Sequence, residues 1–396
     1  VTHTAASSPG PTIYSILGAI SFCHLLNDLM QALLPAIYPI LKGGFDLSFA
    51  QIGSLTLTYQ VTASLLQPLI GRYTDRHPTP YLLPVGMAFT MTGMFVLALA
   101  PTYIGLLLGA VMLGAGSSIF HPEASRIAHV AAGGAHGLAQ SIFQVGGSVG
   151  SSLGPLLAAF FILPRGHESL SCVALLALAG IAVLTMIASR SEKHLPARRD
   201  RASFAVTPHF SAKQIKLALA VLIALIFSKF FYLASITSYY TFYLVSHFHV
   251  AVESAQVYLF MFLAASAAGG FIGGPIGDRV GRKKVIWGSI LGVLPFTLAL
   301  PYMGLDATIG LSLLIGFILS SAFSAIVVYA HELLPGRVGM VSGLFFGLAF
   351  GMGGVGSAIL GLLADWTSIE FVYKICSFLP LIGLLTIFLP IRPRPH

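Results

Sequence analysis

Residues 273–284 read GGPIGDRVGRKK, a glycine-bearing turn with one carboxylate and four cations set between two long apolar runs. On either side the chain stays apolar for about 20 residues, the length that crosses a bilayer as a helix, so this polar knot is a short loop at a membrane face. A shorter version, Gly71-x-x-x-Asp75-Arg76, closes another apolar run about 200 residues earlier. A second pair keeps the same offset: GLAQSIFQVGGSVGSSLG from Gly137 and GMVSGLFFGLAFGMGGVG from Gly339. The chain therefore reads as two copies of one membrane unit, an arrangement that in transporters places the substrate site between the copies near the bilayer midplane.

Composition agrees. Of 396 residues, 56% are hydrophobic and 9% charged, against roughly 25% charged in soluble domains. Lipid must be the solvent for most of the chain. This excludes a disordered chain, a disulfide scaffold and an outer-membrane barrel, which would be polar, cysteine-dense and alternating respectively. Cys23, Cys172 and Cys376 lie apart inside apolar runs and suggest neither a bridge nor a metal site. Apolar segments near 13–41, 50–71, 81–100, 103–124, 137–163 and 169–189 precede the polar stretch 190–213. Six more follow, near 214–246, 252–276, 285–303, 307–331, 338–364 and 370–390. The expectation is an all-α membrane protein with 12 transmembrane helices in two pseudo-symmetric six-helix bundles. These are 13–189 and 214–390, joined by the linker 190–213, with short tails at 1–12 and 391–396. The first segment reads as a span and not a cleaved signal peptide.

Basic residues give the orientation, because they stay on the cytoplasmic side. Of the 21 Lys and Arg, all but Lys42, Arg165, Lys229 and Lys374 fall in the segments that share a side with the N-terminus. Both termini and the linker are expected in the cytoplasm. The net charge of +8 then reports topology and contact with anionic lipid, and no nucleic-acid partner is expected.

The loop GGPIGDRVGRKK resembles the G-x-x-x-D-R-x-G-R-K signature of the major facilitator superfamily, carried here by Gly274, Asp278, Arg279, Gly281 and Arg282 and shortened to Gly71, Asp75 and Arg76 in the first half. Gly150-x-x-x-Gly154-Pro155 is similar to the antiporter motif of that superfamily's exporters. HLLND (24–28), SSIFHPEASRIAH (117–129), HGLAQSIFQVGG (136–147), SKFFYLASITSYYTFYL (228–244) and ELLPGRVGMVSGLFFG (332–347) together resemble its fosmidomycin exporters. The resemblance implies a proton-driven exporter of a small anionic phosphonate drug in the bacterial inner membrane, with no cofactor and acting as a monomer. It also implies that the loop motifs latch one state of the cycle and that the glycines of the fifth helix pack on the eighth, across the halves. The glycines Gly347, Gly351 and Gly354 of the eleventh helix would pack on the second. One departure stands out: the arginine that many such exporters carry in the fourth helix falls on Ala110, so protons must use other groups.

Those groups are few, because a charge at the bilayer centre costs on the order of 2.5–3.5 kcal/mol on insertion scales. Asp28 lies near the middle of the first segment, with His24, Asn27 and Gln31 on or beside its face. Lys229 lies at similar depth in the symmetry-related seventh segment. The two form either a structural ion pair or a working pair in which Lys229 attracts an anion while Asp28 takes a proton. His121, Glu123 and Arg126 make a second cluster, with His331, Glu332 and Arg337 as its counterpart. Proton coupling is assigned to Asp28, His121, Glu123 and Glu332, against plain capping and salt bridging at the membrane rim. Their spacing lacks the i, i+4 pair of a helical zinc site, and no metal is expected. His24, Asn27, Gln31, Gln60 and Gln144, with Arg126, Lys229, Tyr232, Tyr240 and Tyr243, are candidate substrate contacts, although an aromatic stripe is more often packing.

Two rival functions remain at this level. One is a proton-coupled importer of an organic anion, which the antiporter-like motif disfavours. The other is a membrane-embedded enzyme, for which no catalytic constellation is evident.

Overall fold

A computed structural model of the chain describes residues 12–76, 79–133, 136–194, 210–334 and 338–390. The tails and most of the 190–213 linker lie outside the described residues. The first half comprises α1 (Tyr14–Ala36), α2 (Phe49–Arg76), α3 (Leu82–Leu99), α4 (Tyr103–Ala131), α5 (His136–Leu157) and α6 (Leu176–His194). The second comprises α7 (Ala212–Phe248), α8 (Val252–Val280), α9 (Arg282–Ile290), α10 (Leu305–Ser320), α11 (Val338–Trp366) and α12 (Ile369–Cys376). Breaks are local: α5 runs on through a wide turn at Ala158–Ile162 just after Pro155, and α10 resumes as Ala322–Leu333 beyond Ser321. No strand occurs among the described residues.

Local chemistry explains several ends. At α7, Ser211 Oγ accepts from Gln214 N–H while the Gln214 side chain accepts from Ser211 N–H, a reciprocal cap that satisfies donors a helix start leaves open. Ser48 and Gln51 do the same for α2. Between α8 and α9, Gly281 takes φ +101°, which a side chain would resist.

Among the described residues, eleven helical stretches are long and apolar enough to cross a membrane on their own. The exception among the expected twelve is α2. Its 28 residues suffice in length, but Gln51, Ser54, Thr56, Thr58, Gln60, Thr62, Ser64 and Gln67 keep it short of the hydropathy that the eleven reach. It is accommodated by protein, since α2 packs along α4 on one side and α11 on another.

The repeat seen in the sequence is repeated in the packing. Within the first half α1 lies on α5 and α2 on α4; within the second α7 lies on α11 and α8 on α10. The halves meet along two equivalent seams, α2 on α11 and α5 on α8. Between apolar helices in lipid there is little hydrophobic gain, so close backbone packing and hydrogen bonds hold such seams.

The α5 glycines correct one expectation. Cβ atoms at Gly146 and Gly150 would overlap the carbonyls of Ser21 and Leu25, and one at Gly154 would lie 2.6 Å from Ala32 Cβ. Their face is therefore filled by α1 of the same half, and α5 meets α8 with other residues. One small-residue face can bring only one neighbouring backbone this near. On α11, Gly354 lies against Leu57 and Gln60 of α2, across the halves.

Candidate transport site

A cavity of about 270 Å³ lies between the halves. Asp28, Gln31, Tyr59, Gln60 and His121 form its polar wall; Thr237, Leu259, Leu263 and Phe350 form much of the opposite side. Its end away from the basic loops is bridged by hydroxyls. Tyr38 and Thr56 share a 2.6 Å hydrogen bond, Thr56 lies 3.4 Å from Ser238, and Ser357 donates to Ser238 at 3.0 Å. At this end the Gln256 amide of α8 also donates to the carbonyl of Ala36 at 2.5 Å, joining the halves.

Asp28 anchors the polar wall. His24 Nε2 stands 3.2 Å from Oδ2 and His121 Nε2 3.3 Å from Oδ1, while the Asn27 amide donates to Oδ1 at 3.2 Å. The two imidazole Nε2 atoms and the Asp28 carboxylate lie within 4.8 Å of one another. Each ring is held from behind. His24 Nδ1 bonds the carbonyl of Phe143 on α5 at 2.8 Å, its ring stacked on Phe143 at 4.0 Å. His121 Nδ1 bonds the carbonyl of Ser117 one turn back on α4 at 2.9 Å. His24 is 1% exposed and Asp28 faces the cavity. The i, i+4 spacing of His24 and Asp28 puts them on one face, and Gly147 leaves room there for the His24 ring.

The expected Asp28–Lys229 pair does not form. Lys229 is 3% exposed and donates to the carbonyl of Ser320 at 3.3 Å, between the rings of Phe230 at 5.4 Å and Phe323 at 5.3 Å. That carbonyl ends α10 at its break, where a cation complements the helix dipole. Shared depth therefore did not mean shared position, because the two helices turn these side chains to different neighbours.

Other candidates divide by location. Gln31 and Gln60 line the cavity; Tyr59 donates to Gln31 Oε1 at 2.6 Å, and Gln31 Nε2 and Gln60 Oε1 have no partner among the described residues. Asn27 is fully buried and accepts from Thr90. Glu123 is fully buried and held by Arg126 one turn on, and Glu332 is held by Arg282, so these pairs sit off the cavity wall. Gln144 is exposed on α5 and does not line the cavity. Tyr232, Tyr240 and Tyr243 are core residues: Tyr240 donates to Ser312 at 3.1 Å, and Tyr243 stacks on Tyr373 at 4.1 Å. None of the three lines the cavity, and these contacts lie within the second half. Gly71 stands beside Pro122 of α4, and Arg279 is exposed. Of Asp75, Arg76, Gly274 and Asp278 only the helical backbone is described. Missed in the sequence were Tyr59, Thr56 and Ser238, although the polarity of α2 pointed to the first two.

Two repeated six-helix bundles around one polar-walled cavity define a membrane transporter. The Major Facilitator Superfamily model matches residues 20–354 and 240–396, and the chain belongs to that family. It is 57% identical over 386 residues to the Fosmidomycin resistance protein of Escherichia coli (strain K12), covering 98% of this chain and 95% of that one. It is 42% identical over 390 residues to the uncharacterized MFS-type transporter YfnC of Bacillus subtilis (strain 168), covering 96% and 94%. Among solved structures it resembles a bacterial homologue of the human lysosomal transporter Spinster in an inward-facing and occupied conformation. The TM-score is 0.74 at 17% identity, covering 95% and 94% of the two chains. It also resembles the nucleoside transporter NupG, with TM-score 0.71 at 14% identity, covering 94% and 98%.

Proposed function

We propose that the chain exports a small anionic phosphonate of the fosmidomycin kind in exchange for protons, and that Asp28 with His24 and His121 is where the protons bind. The observation that carries this reading is a carboxylate on the cavity wall whose ion-pair partners, among the described residues, are two histidines. A histidine-only partnership can be charged and discharged by protons, which a Lys or Arg pair resists. The relative with 57% identity is named for fosmidomycin resistance, which supports the substrate class.

The basic loops favour a cytoplasmic position for that end and for both termini, in the inner membrane of a bacterium. With the interior negative, moving one negative charge out or one proton in each gains about 2.3 kcal/mol per 100 mV. Exchange therefore draws on the field twice. The unspent Gln31 amide and Gln60 carbonyl offer a donor and an acceptor to phosphonate and hydroxamate groups. Lys229 contributes positive potential without touching the cavity wall, and the Glu123–Arg126 and Glu332–Arg282 pairs remain fixed ion pairs at the basic end. The chain acts as a monomer without a cofactor.

One observation favours a second reading. A protonated imidazole beside the cavity attracts an anion, which would load proton and substrate together, as an importer of a small organic anion does. Inverted vesicles carrying the protein decide: fosmidomycin added outside should drive proton release for exchange and proton uptake for co-transport. Asp28→Asn should abolish the proton signal while the protein remains folded in the membrane. Normal proton-driven transport by that variant would sink the assignment of Asp28.

A further inference from the structure

The hydrogens of the Asp28 triad can be counted. A carbonyl oxygen only accepts, so the bonds to Phe143 and Ser117 fix a proton on Nδ1 of both His24 and His121. Each ring then meets Asp28 through Nε2, at 3.2 and 3.3 Å. A neutral ring presents a lone pair there, which a carboxylate oxygen repels. One proton on the triad, whether on a ring or on the carboxylate, satisfies one of these contacts and leaves lone pair against lone pair at the other. Two protons satisfy both.

We infer that the triad takes up two protons in each transport cycle, one on Nε2 of His24 and one on Nε2 of His121, hydrogen-bonded to the two oxygens of an Asp28 carboxylate that stays ionised. The inference rests on the proposed exchange and adds its stoichiometry. Both protons come from water in the cavity, which His121 borders directly and His24 reaches through Asp28.

The surroundings agree with a count of two. From α2 the titratable group on this wall is Tyr59, whose hydroxyl is committed to Gln31. From α1 itself, Asn27 adds a neutral amide, and from α3 Thr90 binds Asn27. From α4, Glu123 and Arg126 are held by each other. From α5, Gly146 and Gly147 bring backbone alone, and α6 offers Cys23 of α1 the carbonyl of Gly180. Among the described residues, Lys229 of α7 makes its ion and ring contacts at Ser320, Phe230 and Phe323, away from the triad. No described cation stands ready to replace either proton.

The test is a thermodynamic ratio. The purified full chain is placed in liposomes with the membrane potential clamped at zero, and the equilibrium fosmidomycin gradient is measured against an imposed pH difference. Both pH values are chosen so that the phosphonate keeps one charge state. Two protons per drug predict about a 100-fold drug gradient per pH unit, and one proton about tenfold. His24→Gln should lower the wild-type ratio from about 100 to about 10. A wild-type ratio near ten overturns the inference while leaving the exchange reading intact, as does a His24→Gln ratio that stays near 100. A drug gradient that ignores pH altogether would instead remove the exchange reading beneath it. Because the wild-type ratio is itself decisive, the test does not depend on any variant folding.

Discussion

The carboxylate of Asp365, in the last turn of α11, accepts the backbone N–H of Phe49 at 2.8 Å and of Ala50 at 2.7 Å. One half of the molecule thus caps a helix of the other, using two of the donors that the first turn of α2 cannot satisfy internally. Losing a cap costs about 0.5–2 kcal/mol. Asp365→Ala should therefore move the balance of conformers away from the one in which the halves meet at this end, by about 2-fold to 30-fold. Spin labels on α2 and α11 near the basic loops would report it as a growing population of short distances.

Gly147 is where α5 makes room for the proton site. A Cβ there would overlap the His24 ring and lie 2.8 Å from Asp28 Oδ2. Gly147→Ala should depress drug efflux by about 10²-fold at an unchanged level of protein in the membrane. Gly353→Ala is the control, because a Cβ at that position would meet nothing within 4 Å, and its efflux should match wild type.

Tyr240 separates packing from binding. Its hydroxyl serves Ser312 and not the cavity, so Tyr240→Phe should lower the free energy of unfolding by about 0.5–1.5 kcal/mol and leave the KM for drug where it was. A raised KM at unchanged stability would restore it to the substrate site.

Lys229 is expected to act at a distance. Replacing a buried charge by an apolar chain of similar length is often neutral or stabilising, so Lys229→Met should keep its Tm. Its positive potential would be lost, and KM for the anionic drug should rise about tenfold with kcat held. Transport assays in vesicles, paired with thermal melting in detergent, separate the two effects.

The twofold architecture was legible because membrane helices announce themselves by length and composition, and because the Gly274 loop and the Gly339 run each had an earlier counterpart. The site was legible in part. Asp28 was found because an ion in an apolar run is conspicuous, and His24 because helical spacing put it on the same face. Rotation about the helix axis was harder to read: Lys229 shares the depth of Asp28 yet turns to α10, and the tyrosines after it turn to α10 and α12. Long-range partners were hidden altogether. Nothing near Asp28 in the chain says that His121 will meet it, since that contact depends on how α1 and α4 are brought together by their shared neighbours α3 and α5.

The polarity of α2 bears on how the protein is made. Among the described residues, eleven stretches carry enough apolar length to leave the translocation machinery for lipid unaided, whereas α2 bears amides and hydroxyls that only its neighbours can shelter. Its partner α4 emerges soon after it, but α11 is synthesised near the end of the chain. Until then the seam side of α2 faces lipid or chaperone, and the first half is an assembly intermediate waiting for the second. Completion of the cavity is therefore also the step that finally satisfies this helix, so a chain truncated before α11 would lack a transport pathway and would expose a polar surface that membrane quality control can recognise.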